Sequence, residues 1–324
     1  MNTIKSLIDK IFPNLVIAIN YFYDYKQYSK YNYKTKKVTY KKMEGKIFRQ
    51  THIIEKGMSL SNPRKGFGIE KINLLLDYVD EYCKLGYPKD STVFLNAIHV
   101  IKKYITFQNN MGVANKELEE RLEVYAPYFV KDFVCGIKKE TKANLNEMKD
   151  RDFLEFLASR HSMRQFADSD LDKELIRKAV KAAMFAPSEC NRQSVRAYLV
   201  CNEEKKRGLD NLINGNTGFA QEVKGYMIIT SDSSCYTSAY ERNQLYIDGS
   251  LFAMVLMLSL HYFGIASCPL QHSETKEKTE RAREIIGFSE SERIVMYLAI
   301  GNYKETFSYA VSKRKNIEEI YVEL

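Results

Sequence analysis

The chain has no tryptophan and only five histidines in 324 residues. The histidines are dispersed, so no histidine-rich metal site is expected. Its six cysteines (Cys83, Cys135, Cys190, Cys201, Cys235, Cys268) are scattered without a C-x-x-C pair. That argues against a disulfide frame or a zinc ribbon, and favours buried thiols in a reducing, cytoplasmic setting. Six prolines and 15 glycines are too few for long disordered linkers. The phosphate loop G-x-x-x-x-G-K-[ST] is missing, since Lys65-Gly66-Phe67-Gly68 has too few glycines in pattern. A G-x-S-x-G nucleophile elbow and a glycine-rich dinucleotide fingerprint are missing too.

Charge is present but unevenly placed. Residues 1–50 hold 11 Lys or Arg against Asp9, Asp24 and Glu44, and the rest balances at 38 against 38. Nucleic-acid binding by the whole protein is therefore not expected, and any anionic partner belongs to the N-terminus. There Tyr21, Phe22, Tyr23, Tyr25, Tyr28, Tyr31 and Tyr33 alternate with Lys26, Lys30, Lys34, Lys36 and Lys37. The arm's apolar part is too short, and broken by Asp9 and Lys10, for a signal peptide or a membrane span of ~20 residues. Two readings stand: a helix packed on its own domain, and an interfacial segment in weak contact with an anionic membrane surface.

Periodicity organises the remainder. Ile69, Ile72, Leu75, Leu76, Val79 and Tyr82 predict an amphipathic helix ended by Gly86. Asp90 or Ser91 caps a second helix through Phe94, Ile98, Ile101 and Ile105, and Lys116–Tyr128 reads as a third. His52 and Glu55 share a helix face, a spacing that suits a structural hydrogen bond. The charged, aperiodic stretch 140–152 marks a boundary, giving domains at 1–147 and 148–324. Beyond it, strands are expected near 196–201, 225–231, 265–269 and 293–301. Helices are expected from Phe153, over 172–186, at 241–263 and at 274–286. The run Leu251–Leu260 is apolar nearly all round and predicts a fully buried helix. Ser250, Ser259 and His261 make it a poor membrane span.

Two clusters carry chemistry. Arg160-His161-Ser162-Met163-Arg164 gathers two guanidiniums, an imidazole and a hydroxyl, an inventory suited to an anion. One helix later, Ala186-Pro187-Ser188-Glu189-Cys190-Asn191-Arg192-Gln193 sets two side-chain amides two residues apart, each both donor and acceptor. Cys190 within it reads as a small buried filler rather than a nucleophile. The pattern Arg160-His161-Ser162-x-Arg164 followed by Ala186-Pro187-Ser188-x-x-Asn191-x-Gln193 resembles the nitroreductase family of FMN enzymes, over roughly 153–324. Where that family usually continues with Pro-Trp, this chain has Ser194-Val195.

The resemblance implies an α+β fold, a mainly antiparallel sheet flanked by helices and preceded by an all-helical domain. It implies an FMN-dependent oxidoreductase in which hydride passes from NAD(P)H to flavin N5 and on to a nitro, quinone or other small oxidised acceptor. Arg160, His161, Ser162 and Arg164 would hold the cofactor together with Pro187, Ser188, Asn191 and Gln193. Pro269, Leu270 and Gln271 would lie against the flavin. Lys313 and Lys315, with Arg314, would close the phosphate site. No side-chain nucleophile and no metal is required. A two-fold homodimer with FMN at the subunit boundary is implied. The segments Thr51–Gly57 and Phe67–Lys71 resemble the helical extension of nitroreductase-like proteins near bacterial surface-polysaccharide genes. Alternatives are a flavin oxidase or dehydrogenase acting on an intermediate of such a pathway, and a non-catalytic protein retaining the fold.

Overall fold

The computed structural model describes residues 38–147, 152–236, 241–272 and 276–324, with 14–15, 17–19, 21–22 and 25. Most of the arm's aromatic and basic positions lie outside the described residues. The chain divides into two compact units. One comprises 1–27 and 140–307, the other 28–139 and 308–324.

The second unit is helical. Its helices are α1 (Tyr40–Met58), α2 (Ile69–Lys84), α3 (Thr92–Asn110) and α4 (Lys116–Glu123). Ser91 is the cap of α3, its hydroxyl accepting from Phe94 N at 3.4 Å. Gly86 follows α2 at φ 71°, a left-handed position that glycine occupies without strain. Met43, Ile47, Ile72, Leu75, Leu76, Val79, Ile98 and Ile101 fill the core. Phe94 is fully buried, stacked on Tyr82 and met edge-on by Tyr125 and Tyr128. Buried phenols are satisfied: Tyr82 donates to Pro88 O at 2.8 Å, and Tyr104 donates to Phe67 O. The C-terminal tail belongs to this unit, where Thr92 donates to Glu319 at 2.7 Å.

The first unit holds an antiparallel four-stranded sheet in the order β2-β3-β5-β4, where β2 is Val195–Val200, β3 Gly225–Asp232, β4 Ile265–Gln271 and β5 Glu292–Asn302. These bounds lie close to the expected strands. A further strand, β1 (Ile137–Thr141), pairs with β6 (Thr306–Ala310). Helices α5 (Lys142–Glu147), α6 (Phe153–Ser159), α7 (Lys173–Ala183), α8 (Glu203–Asp210), α9 (Gln244–Tyr262) and α10 (Lys276–Ile286) complete the set. The central strand β3 is buried along nearly its whole length because both faces are covered. Met227 and Ile229 pack with Ala253, Leu256 and Leu260 of α9 and Ile176 and Ala179 of α7. On the other face Tyr226 donates to Asp210 of α8 at 2.7 Å.

By length and composition α9 could cross a membrane, yet Leu245, Ala253, Leu256 and Leu260 are buried within this unit. The Leu251–Leu260 run, expected to be buried with a homodimer implied, is only partly enclosed in the single chain. Leu251 and Met254 are each 42% exposed. The sheet covers one side of a helix that is apolar on both, so the outer stripe faces solvent in a single chain. At Gly249 the helix touches β5 so closely that a Cβ would sit 2.5 Å from Val295 Cγ2.

Candidate functional site

Arg160 ends α6 in an extended conformation, and residues 161–167 follow without regular helix or strand. Backbone hydrogen bonds dock that segment onto the sheet. Met163 N donates to Ser267 O of β4, and Ala167 N to Asn302 O of β5, both at 2.9 Å. Phe166 N donates to Glu222 at 3.2 Å. The contact is tight, since a Cβ on Gly301 would lie 2.6 Å from the Phe166 ring. Arg164 is 5% exposed, and its Nη1 donates to Ser162 O at 3.2 Å. Arg160, His161 and Ser162 are half-buried. So Arg160, Ser162 and Arg164 lie on one segment docked against β4 and β5, with Arg164 buried and the other two half-buried.

His261, near the end of α9, braces the start of that segment. One ring nitrogen lies 2.7 Å from Ser159 Oγ and the other 2.9 Å from the Tyr303 hydroxyl. Burial raises the Tyr303 phenol well above its ordinary pKa, with the Arg160 charge pulling the other way. Sequence reading noted His261 only as an interruption in an apolar helix. Such an interruption, buried where a Leu would fit, was the available signal.

The second cluster forms a tight turn after α7. Ser188 Oγ accepts from Gln193 N at 3.0 Å, closing a loop around a short 3-10 turn, Glu189–Asn191. Cys190 (φ 47°) and Gln193 (φ 50°) are both left-handed, unusual for residues with side chains. The expectation of a buried Cys190 is corrected. The thiol is exposed and contacts the Glu189 carboxylate at 3.0 Å, which raises its pKa and keeps it a thiol at neutral pH. Pro187 and Gln193 are exposed and Ser188 half-buried. Asn191 lies in the turn, and its side chain is outside the described residues.

The turn is tied to α9 by a carboxylate. Asp248, 1% exposed, accepts from Glu189 N at 3.2 Å, Gln244 Nε2 at 2.9 Å and the Tyr236 hydroxyl at 2.7 Å. Because the phenol's one proton goes to Asp248, the Ser194 hydroxyl, 2.7 Å away, donates to Tyr236. Ser231 in turn donates to Ser194 at 2.8 Å. Arg192 pairs with Glu241 at 2.8 Å. The sequence reading missed Asp248, although a lone acid beside a glycine in an apolar helix was visible.

Pro269 and Leu270 occupy the end of β4, opposite Leu298 and Tyr297, with Gln271 exposed at its tip. Lys313, Arg314 and Lys315 belong to the helical unit. There Lys315 is 2.6 Å from the Glu44 carboxylate, and Lys313 lies 5.4 Å over the Phe133 ring. Among the described residues no group of His, Cys, Asp and Glu is placed to hold a metal ion.

Residues 157–224 match the model of the Nitroreductase family. A protein of Archaeoglobus fulgidus, provisionally named an NADH dehydrogenase/NAD(P)H nitroreductase, is 25% identical over 174 residues, which span 52% of this chain and 97% of that protein. A solved structure from Staphylococcus epidermidis, provisionally described as an NAD(P)H:FMN oxidoreductase, is 23% identical with a TM-score of 0.48, covering 54% of this chain and 96% of that one. Another, from Exiguobacterium sibiricum, provisionally described as a nitroreductase and solved in complex with FMN, is 20% identical with a TM-score of 0.46, covering 54% and 98%.

Proposed function

We propose that this chain, which carries a nitroreductase-family segment at residues 157–224, is an FMN-dependent oxidoreductase that oxidises NAD(P)H and reduces a nitro, quinone or other small oxidised acceptor. One observation carries the reading. The matched segment contains both the buried Arg164, with the half-buried Arg160 close by in sequence, and the strained turn.

The donor set fits the cofactor. Arg160, Arg164 and Ser162 supply charge-assisted and hydroxyl hydrogen bonds of the kind a phosphate takes. Ser188, Asn191 and Gln193 supply mixed donors and acceptors for the edge of a pyrimidine ring. Pro269, Leu270 and Gln271 offer a strand end for close backbone approach. Lys313, Arg314 and Lys315 are assigned to the phosphate on the resemblance alone, and Lys315 would have to exchange its Glu44 partner. Bound FMN would supply the two-electron chemistry, and the protein would bind, orient and tune it. Arg160 and Arg164 would favour negative charge developing nearby.

A homodimer belongs to the same reading. Ile247, Leu251 and Met254 share one exposed face of α9, and Met184 and Phe185 are exposed at the end of α7, Phe185 at 87%. The two clusters are anchored near opposite ends of α9, through Asp248 and His261. At ~1.5 Å per residue that is about 20 Å of helix. A two-fold pair would let one copy's turn meet the other's guanidiniums. The basic arm's contact with an anionic membrane surface stays a separate proposal, checked by vesicle co-sedimentation at low and high salt.

The test is direct. Purified protein should bind FMN stoichiometrically and oxidise NADH or NADPH with a quinone acceptor. Folded protein that takes up no flavin would refute the reading.

A further inference from the structure

We infer that Asp248 is a positioning residue: its buried carboxylate latches the Ser188–Gln193 turn into the left-handed conformation that presents it to the cofactor. The inference rests on the flavin reading above for its purpose, but its geometry stands alone.

Two bonds close the turn from within, Gln193 N to Ser188 Oγ and Arg192 N to Glu189 O, both at 3.0 Å, while Cys190 and Gln193 both sit at positive φ. Non-glycine residues in that region cost free energy and persist only where the surroundings over-determine them. From outside the turn, α9 reaches its backbone through Asp248. Glu189 N, adjacent to the strained Cys190, is shared between both Asp248 oxygens at 3.2 Å each.

The carboxylate is itself fixed from three sides. Gln244, one helical turn earlier, donates to Oδ1 at 2.9 Å, and Tyr236 donates to Oδ2 at 2.7 Å. The Tyr236 hydroxyl is continued by Ser194 and Ser231 into β3. Gly249 next door lets α9 approach Val295 so closely that no larger side chain fits there. A neutral amide at position 248 could accept from Glu189 but would turn its NH2 toward Gln244, or toward Tyr236, whose hydroxyl would then have to reverse along the Ser194–Ser231 chain. A carboxylate accepts from all three donors without that reversal.

The experiment compares full-length wild type with Asp248→Ala, Asp248→Asn and the milder Tyr236→Phe. Two quantities are read: amide hydrogen exchange of the peptide containing Glu189–Gln193 in flavin-free protein, and FMN dissociation constant by fluorescence quenching. Loss of a hydrogen bond to a charged acceptor predicts exchange faster by roughly tenfold to a hundredfold in Asp248→Ala. FMN affinity should weaken at least about tenfold, with Asp248→Asn intermediate and Tyr236→Phe smaller in both. Unchanged turn exchange in folded Asp248→Ala would overturn the latch. Faster exchange with unchanged FMN affinity would overturn its purpose, as would a loss of melting temperature alone. If wild type binds no FMN, the flavin reading fails, while the exchange result still decides the latch.

Discussion

The helical unit and the sheet unit use their polar groups in different ways. In the helical unit, buried phenols reach backbone carbonyls close by, and aromatic rings contact one another around Phe94. These interactions serve packing. In the sheet unit, Arg164 in the segment 160–164 and Asp248 against the turn 188–193 are almost wholly enclosed. Two left-handed non-glycine residues lie within four positions there. The helical unit's own cases, Asp132 and Ser312, are isolated, and Asp tolerates the conformation better than most. Enclosed charge and clustered strain are features that packing alone does not require. The pairing of enclosed charge with clustered strain marks the sheet unit as the candidate for chemistry, whereas the helical unit's buried acids, Glu44 and Glu55, are taken up by Lys315 and by Gly136 N.

That contrast can be broken by substitution. Phe94→Ala should give the largest loss of stability, about 3–5 kcal/mol, since it empties a ring-sized volume among Tyr82, Tyr125 and Tyr128. Denaturant unfolding measures it, and a loss below ~1 kcal/mol would mean the aromatic core is not organised as described. Alkaline pH should come next. Burial pushes the Cys135 thiol up to about 11 from an ordinary 9.0. Between these values the unfolded chain releases a proton that the folded chain keeps. Stability is thus fully present below pH ~9 and falls by up to ~2–3 kcal/mol as pH rises to about 11. Cys135→Ala should flatten that slope. Arg164→Ala should cost ~1.5–3 kcal/mol of FMN binding, a tenfold to hundredfold rise in dissociation constant by titration. Cys190→Ser should change stability by less than ~0.5 kcal/mol, since the thiol is exposed. A large effect there would make Cys190 part of the machinery.

Much of this architecture was readable in advance because its period was strong. The helices over 69–84 and 92–110 and the four strands follow from apolar spacing and from Gly86 and Ser91. The two site clusters were readable as local inventories. Their supports were not. Asp248 and His261 lie about 60 and 100 residues along the chain from the clusters they brace, and nothing local pairs a helix acid with a turn amide. Cys190 was misjudged because a free cysteine is among the residues most often buried, whereas here it lies in a left-handed turn with its thiol exposed. The outer stripe of α9 is exposed in the single chain because one sheet covers only one side of a helix that is apolar all round.

The measurement that bears most directly on the central claim is an FMN titration of purified full-length protein, alongside Arg160→Ala and Arg164→Ala, followed by flavin fluorescence and by absorbance in the blue. The account predicts saturable binding of one FMN per chain by the wild type, weakened at least about tenfold by either substitution. Binding that both substitutions leave unchanged, or folded wild type that takes up no FMN, would contradict it.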